Sequence, residues 1–110
     1  MIPADLLSAL REKDPELWER INRVYAMRYM RQIDDPQILE FLTGKEKQSL
    51  IQGYLQEAIR ARGWWYQIAT GYRGVIQAQV YCSENGLHKG NTEAEALLRA
   101  YLAAIEAIRP

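Results

Sequence analysis

The chain has one cysteine, Cys82, so no intramolecular disulfide can staple it. A single thiol suits a reducing compartment. There is one histidine, His88, which leaves little material for an imidazole-rich metal centre. No apolar run approaches the roughly 18–20 residues that a bilayer-spanning helix needs, so no membrane partner is expected. The opening MIPADLLSALREKD has neither a basic n-region nor a long apolar run, and it does not read as a secretory signal. An excess of either charge is also missing: 14 basic and 14 acidic residues give a formal net charge of zero. Binding to duplex nucleic acid usually leaves a basic surplus, so nucleic acid is a disfavoured partner. Together these absences predict a soluble cytoplasmic protein.

What is present suffices for a core. The chain has 110 residues, 48% of them hydrophobic, which predicts a single domain over 1–110. Residues 1–62 read as mainly helical. Leu6, Leu7 and Leu10 mark a short amphipathic segment over 3–10. Asp14-Pro15 is a helix start signal, an acceptor side chain followed by a residue with φ already set for the first helical position. Leu17, Ile21, Val24 and Tyr25 then recur at helical spacing, with Glu16, Glu19, Arg20 and Arg23 opposite. The helix should end near Arg31, because Asp34-Asp35-Pro36 disfavours helix before the proline. Asp35-Pro36 repeats the start signal for a short element ending near Leu42. Thr43 and Glu46 have capping-box spacing, ahead of a stripe of Leu50, Ile51, Tyr54, Leu55, Ala58 and Ile59. Gly63 stands where a left-handed C-cap is expected.

Residues 63–110 read as strand, turn, strand, helix. The segments 64–70 and 75–82 are rich in aromatic and β-branched residues, and Gly71-Tyr72-Arg73-Gly74 between them tolerates positive φ. Alternation predicts that Ile76, Ala78, Val80 and Cys82 face the helices, together with Trp64, Tyr66 and Ile68. Trp65, Gln67, Ala69, Val75, Gln77, Gln79 and Tyr81 then face away. Residues 83–91 read as a polar loop. Thr92 and Glu95 form a second capping box, and Ala94, Leu97, Leu98, Tyr101, Leu102, Ile105 and Ile108 line one side of the last helix. Alanines at 96, 100, 103, 104 and 107 allow close approach over a wide arc. The predicted fold class is α+β: N-terminal helices, an antiparallel β-hairpin over about 64–82, and a C-terminal amphipathic helix packed on the sheet.

The C-terminal half resembles the small phage proteins that carry the phage ABA-sandwich domain. The resemblance rests on five features: Gly63-Trp64-Trp65 opening a strand, the short glycine turn, a second strand, a polar loop with Gly86, His88 and Gly90, and the run from Thr92 to Ala100 that opens an alanine-rich helix. It implies a phage or prophage accessory protein expressed inside a bacterium. It carries over no functional residues.

Candidate sites follow from residue chemistry. Arg20, Arg23, Arg28 and Arg31, interleaved with Tyr25, Met27, Tyr29 and Met30, form a cationic stretch suited to nucleic acid, an anionic ligand or an acidic protein surface; the plainer reading is a solvated helix face. Trp64, Trp65, Tyr72 and Arg73 are the hairpin candidates, since a large aromatic on the open side of a sheet needs a cover or a partner. His88 and Lys89 lie in the glycine loop ahead of a helix start, where free amides hold anions. The glycines match neither GxxxxGK[ST] nor GxGxxG, and the plainer readings are a solvated histidine and an ordinary loop. Cys82, Glu84 and His88 match no standard zinc spacing. No catalytic group, metal or cofactor is therefore assigned. The expected role is binding: a small phage-like accessory protein that inhibits a host defence protein, with a host protein and a second copy of the chain as partners. The alternative is an oligomeric sponge for a small nucleotide-type ligand. If Leu98 is core, Leu98→Ala should lower stability by about 2–5 kcal/mol in a urea melt, and a loss below about 1 kcal/mol would overturn the face assignment.

Overall fold

One residue separates the first two helices. In the computed structural model, which describes residues 2–29, 36, 48–81 and 86–108, α1 spans Ala4–Lys13 and α2 spans Pro15–Tyr29. Asp14 leaves helical geometry (φ −141°, ψ 74°), while its N–H still donates to the Leu10 carbonyl at 2.8 Å. Its Oδ1 accepts the Leu17 N–H at 3.2 Å, and Pro15 takes the first position of α2, where a missing N–H leaves nothing unsatisfied. Helix α1 runs three residues beyond the expected 3–10 segment because nothing before Asp14 breaks it.

The described residues divide into two compact units, Met1–Ile51 and Gln52–Pro110. In the first, α1 buries Leu7 and Leu10, and α2 buries Leu17, Trp18, Ile21 and Tyr25. Trp18 is absent from the sequence stripe yet lies on it, three residues before Ile21 and seven before Tyr25. The Arg11 guanidinium stands 6.0 Å from its ring. Glu16, Glu19, Arg20 and Arg23 are exposed, as the periodicity predicts. The short element after Asp35-Pro36 and the capping box of Thr43 and Glu46 lie outside the described residues.

Helix α3, Gln48–Ala61, bridges the division and buries Ile51, Leu55 and Ile59. Gly63 ends it in the left-handed region at φ +77°. The Gly63 N–H donates to the Arg60 carbonyl at 2.9 Å and the Trp64 N–H to the Ile59 carbonyl at 3.1 Å. That pair of bonds is the Schellman stop, and it sends the chain directly into a strand.

The second unit holds a three-stranded antiparallel sheet in the order β1-β2-β3: β1 Trp65–Thr70, β2 Ile76–Tyr81 and β3 His88–Gly90. Strands β1 and β2 pair from Trp65↔Tyr81 to Thr70↔Ile76. The turn between them is a short 3₁₀ segment, Tyr72–Gly74, in which Arg73 (φ 63°) and Gly74 (φ 74°) take the left-handed positions. Gly71 does not; its φ is −88°.

Strand β3 corrects the reading of 83–91 as an unbroken loop. His88 pairs with Ala78, Lys89 with Gln77 and Gly90 with Ile76. The three residues have little strand character of their own. Their strand geometry comes from the hydrogen-bonding edge that β2 presents.

Helix α4, Glu93–Ile108, packs on this sheet. It buries Leu97, Leu98, Tyr101, Leu102 and Ile105, and also Ala96, Ala100 and Ala104, so it is covered around most of its circumference. The sheet contributes Ala78 and Val80 fully buried and Ile76, Tyr66 and Ile68 half-buried. Each fully buried leucine or isoleucine contributes about 1.5–3 kcal/mol. Ile108 departs from the expected stripe: it is 47% exposed, in a last turn where residues 106–108 are all open. The chain is thus α+β, with its C-terminal helix laid on one face of an antiparallel sheet. Gly74→Ala should lower stability by about 1–2 kcal/mol, because a Cβ is strained at φ 74°. A chemical melt within about 0.3 kcal/mol of the parent would contradict that turn geometry.

Candidate functional site

The alternation that buries Ile76, Ala78 and Val80 forces their neighbours outward. Directly paired residues share a face, so the outward side is ordered by the register. Trp65 and Tyr81 form one row, Gln67 and Gln79 the next, and Ala69, Gln77 and Lys89 the third. Trp65 is 71% exposed, and its ring lies 5.5 Å from that of Tyr81 at 40°. The Tyr81 hydroxyl donates to Gln67 Oε1 at 2.7 Å, which fixes the phenol across the strand. The result is an aromatic pair backed by neutral amides. Leu87, just ahead of β3, is exposed as well.

Trp64 goes the other way. Its ring is half-buried, 6.5 Å from Tyr101 of α4. The Arg62 guanidinium lies 5.1 Å from the Trp64 ring and 5.7 Å from the Tyr101 ring, and Arg62 Nε donates to the Tyr101 hydroxyl at 3.2 Å. Trp64 therefore helps to join β1 to α4, and Trp65 is the outward tryptophan.

The other candidates do not gather into one place. Arg73 is exposed at the turn, about 17 Å or more of strand away from Trp65. The Tyr72 side chain lies outside the described residues, as do Arg31 and Cys82. His88 points with Ala78 toward the inner side and is half-buried, while Lys89 points outward. On α2, Arg20, Arg23 and Arg28 are exposed, and Arg23 pairs with Glu19 at 3.2 Å. Tyr25, which looked interleaved with them, is fully buried, whereas Met27 is 75% exposed. No three His, Cys, Asp or Glu side chains among the described residues are grouped to hold a metal. No helix among them is long and apolar enough to cross a membrane.

A second feature was missed in the sequence. Thr92 Oγ1 accepts the Glu95 N–H at 3.1 Å, the expected half of the capping box. Glu95 reaches past Thr92, however, and Oε2 accepts the Asn91 N–H at 3.1 Å. Arg99 Nε adds a second, long contact to the same oxygen at 3.5 Å. The carboxylate is buried, and its other oxygen, Oε1, has no partner among the described residues. Leaving a buried acceptor unpaired costs about 1–3 kcal/mol, and more for a charged group. Beside it opens a cavity of about 480 Å³, lined in part by Val75, Ile76, Lys89, Gly90, Glu95 and Arg99. The signal was available in principle, since Glu95 sits between Ala94 and Ala96, in a helix with alanines on nearly every side.

Comparison with known families, curated proteins and solved structures gives no match for the chain. Gly90 marks how tightly the second feature is built: a Cβ there would lie 2.5 Å from the Ala96 amide nitrogen and 3.0 Å from Glu95 Oε2. Gly90→Ala should therefore cost about 1–3 kcal/mol, read by thermal or urea unfolding, and a neutral substitution would mean that β3 and α4 are farther apart.

Proposed function

We propose that this chain works by binding, and that the outward side of its sheet is the working surface. The observation that carries this reading is Trp65, a tryptophan left 71% exposed on ordered strand backbone and held against Tyr81. Tryptophan and tyrosine dominate the energetics of protein interfaces because each removes a large apolar area from water at small entropic cost. Gln67, Gln77 and Gln79 around them are neutral hydrogen-bonding groups, which favours a protein surface over a polyanion. The resemblance of residues 63–100 to phage proteins supports a setting inside a bacterium. The partner is then a host protein, and by analogy with other small phage proteins a defence protein that the chain inhibits.

Self-association fits the same unit. Strand β1 is an edge of the sheet among the described residues, and WYQIAT contains no charge and no proline to discourage pairing. A second copy adding its β1 antiparallel would extend the sheet to six strands about a two-fold axis. Light scattering on a size-exclusion column separates this dimer from a monomer.

The binding reading is tested by capture from bacterial host lysate. Trp65→Ala combined with Tyr81→Ala should abolish capture while changing stability by less than about 1 kcal/mol, as expected for an exposed pair. Capture that survives this double variant but disappears with Arg23→Ala and Arg28→Ala together would move the working surface to α2.

A further inference from the structure

The two edges of the sheet are not alike. Strand β3 is three residues long and carries Lys89, which discourages a further strand from pairing there. Strand β1 is six residues long and carries no charge. The Gly71 N–H donates to the Val75 carbonyl at 2.7 Å and continues the register in which Thr70 faces Ile76. Hydrogen-bonded pairs alternate along an antiparallel ladder, so Ala69, Gln67 and Trp65 also aim their backbone groups at β2. Tyr66, Ile68 and Thr70 aim theirs away from it. Those N–H and C=O groups have no strand partner among the described residues, since β1 ends the order β1-β2-β3. Helix α4 lies over β2 and β3 and reaches β1 least. Tyr66 and Ile68 are accordingly half-buried, and Thr70 is exposed.

Extended backbone continues past Thr70. Gly71 has φ −88° and ψ −170°, a conformation open to any residue, and a Cβ there would meet Val75 O at an ordinary 3.6 Å. Among the described residues, nothing around Gly71 requires a glycine. Trp65 is the opposite case, a large ring left 71% exposed. An aromatic ring laid across a glycine of a neighbouring antiparallel strand stabilises such a pair. Trp65 and Gly71 share the outward side of the sheet, but they lie at opposite ends of β1 and cannot meet within one chain.

A two-fold axis at Ile68 brings them together. A second β1 added antiparallel must pair Tyr66, Ile68 and Thr70 with one another, because only these offer backbone groups to the edge. With the axis at Ile68, that residue pairs with the partner's Ile68, and Tyr66 pairs with the partner's Thr70. All of the edge groups are then used. With the axis at Gln67, Thr70 would fall opposite Trp64, whose N–H already donates to the Ile59 carbonyl. The Ile68 axis sets Trp65 opposite the partner's Gly71, beside the turn that carries the partner's Arg73.

We infer that two copies of this chain join through β1 about an axis at Ile68, and that their outward surface is composite: the Trp65–Tyr81 pair of one copy lies beside the Tyr72–Gly74 turn of the other. The use of that surface rests on the sheet-face reading above; the dimer and its register do not.

Light scattering on a size-exclusion column should give twice the 12.8 kDa chain mass. Thr70→Pro removes an N–H that only the second copy uses, and an edge strand accommodates proline where its N–H faces solvent. It should raise the dimer dissociation constant at least about tenfold while retaining the parent's circular dichroism spectrum. Disulfide linkage in a Cys82→Ser background reads the register. Gln67 lies opposite the partner's Ala69 in a closely spaced pair, so a chain with Gln67→Cys mixed with one with Ala69→Cys should link, and neither should link to itself. A monomeric mass for the parent, a Thr70→Pro dimer as tight as the parent, or self-linkage of either cysteine variant would each overturn the proposal. If Thr70→Pro does not fold, mass and linkage still decide. Capture from host lysate separates the two readings. Capture at the parent's level by monomeric Thr70→Pro would overturn the composite surface, whereas a dimer of this register that captures nothing would count against the sheet-face reading alone.

Discussion

Burial of the inner sheet face against α4 is the contact on which the C-terminal unit depends. Three short strands cannot hold themselves together in water without a covered face. Ala78 and Val80 are small and fully buried on the sheet face that α4 covers, and Ala96, Ala100 and Ala104 of α4 are fully buried as well. Close approach then sets the other details. It brings Gly90 to within a Cβ's width of Ala96, demands a glycine there, and carries the end of β3 directly into the first turn of the helix.

That contact makes the sheet two-sided. Every residue directed at α4 is apolar or half-buried, and the pleat directs its neighbours to the other side. The aromatic pair Trp65–Tyr81 is therefore a consequence of register as much as of composition. Adjacent tryptophans serve opposite purposes: Trp64 is held between β1 and α4 under Arg62, and Trp65 stands open. A shift of one residue in the β1–β2 pairing would exchange them.

Helix starts and stops were legible because they are local. Asp14-Pro15 caps α2, Gly63 closes α3 and Thr92 caps α4, each through bonds within a few residues. Strand alternation was legible for the same reason, and it placed Trp65, Gln67 and Tyr81 outward. Features that depend on distant partners were not. Lys89 and Gly90 are poor strand formers, and β3 exists because β2 has a free edge. Trp18 is an amphipathic side chain whose burial depends on what packs over it. Ile108 follows the α4 period into a final turn that is exposed.

The arginines of α2 and the tip at Arg73 stood out by composition, yet the most chemically unusual group in the second unit is Glu95, which reads in sequence as an ordinary cap. Sequence alone determined the caps at Asp14, Gly63 and Thr92 and the inward and outward faces of the hairpin, since hydrogen bonds and steric preferences within a few residues set all of these. Only the tertiary structure decided that a third strand forms, that Trp18 is buried, and that a capping glutamate is buried with one oxygen unpaired among the described residues. Those outcomes depend on which surfaces meet across the chain, and no local period encodes that.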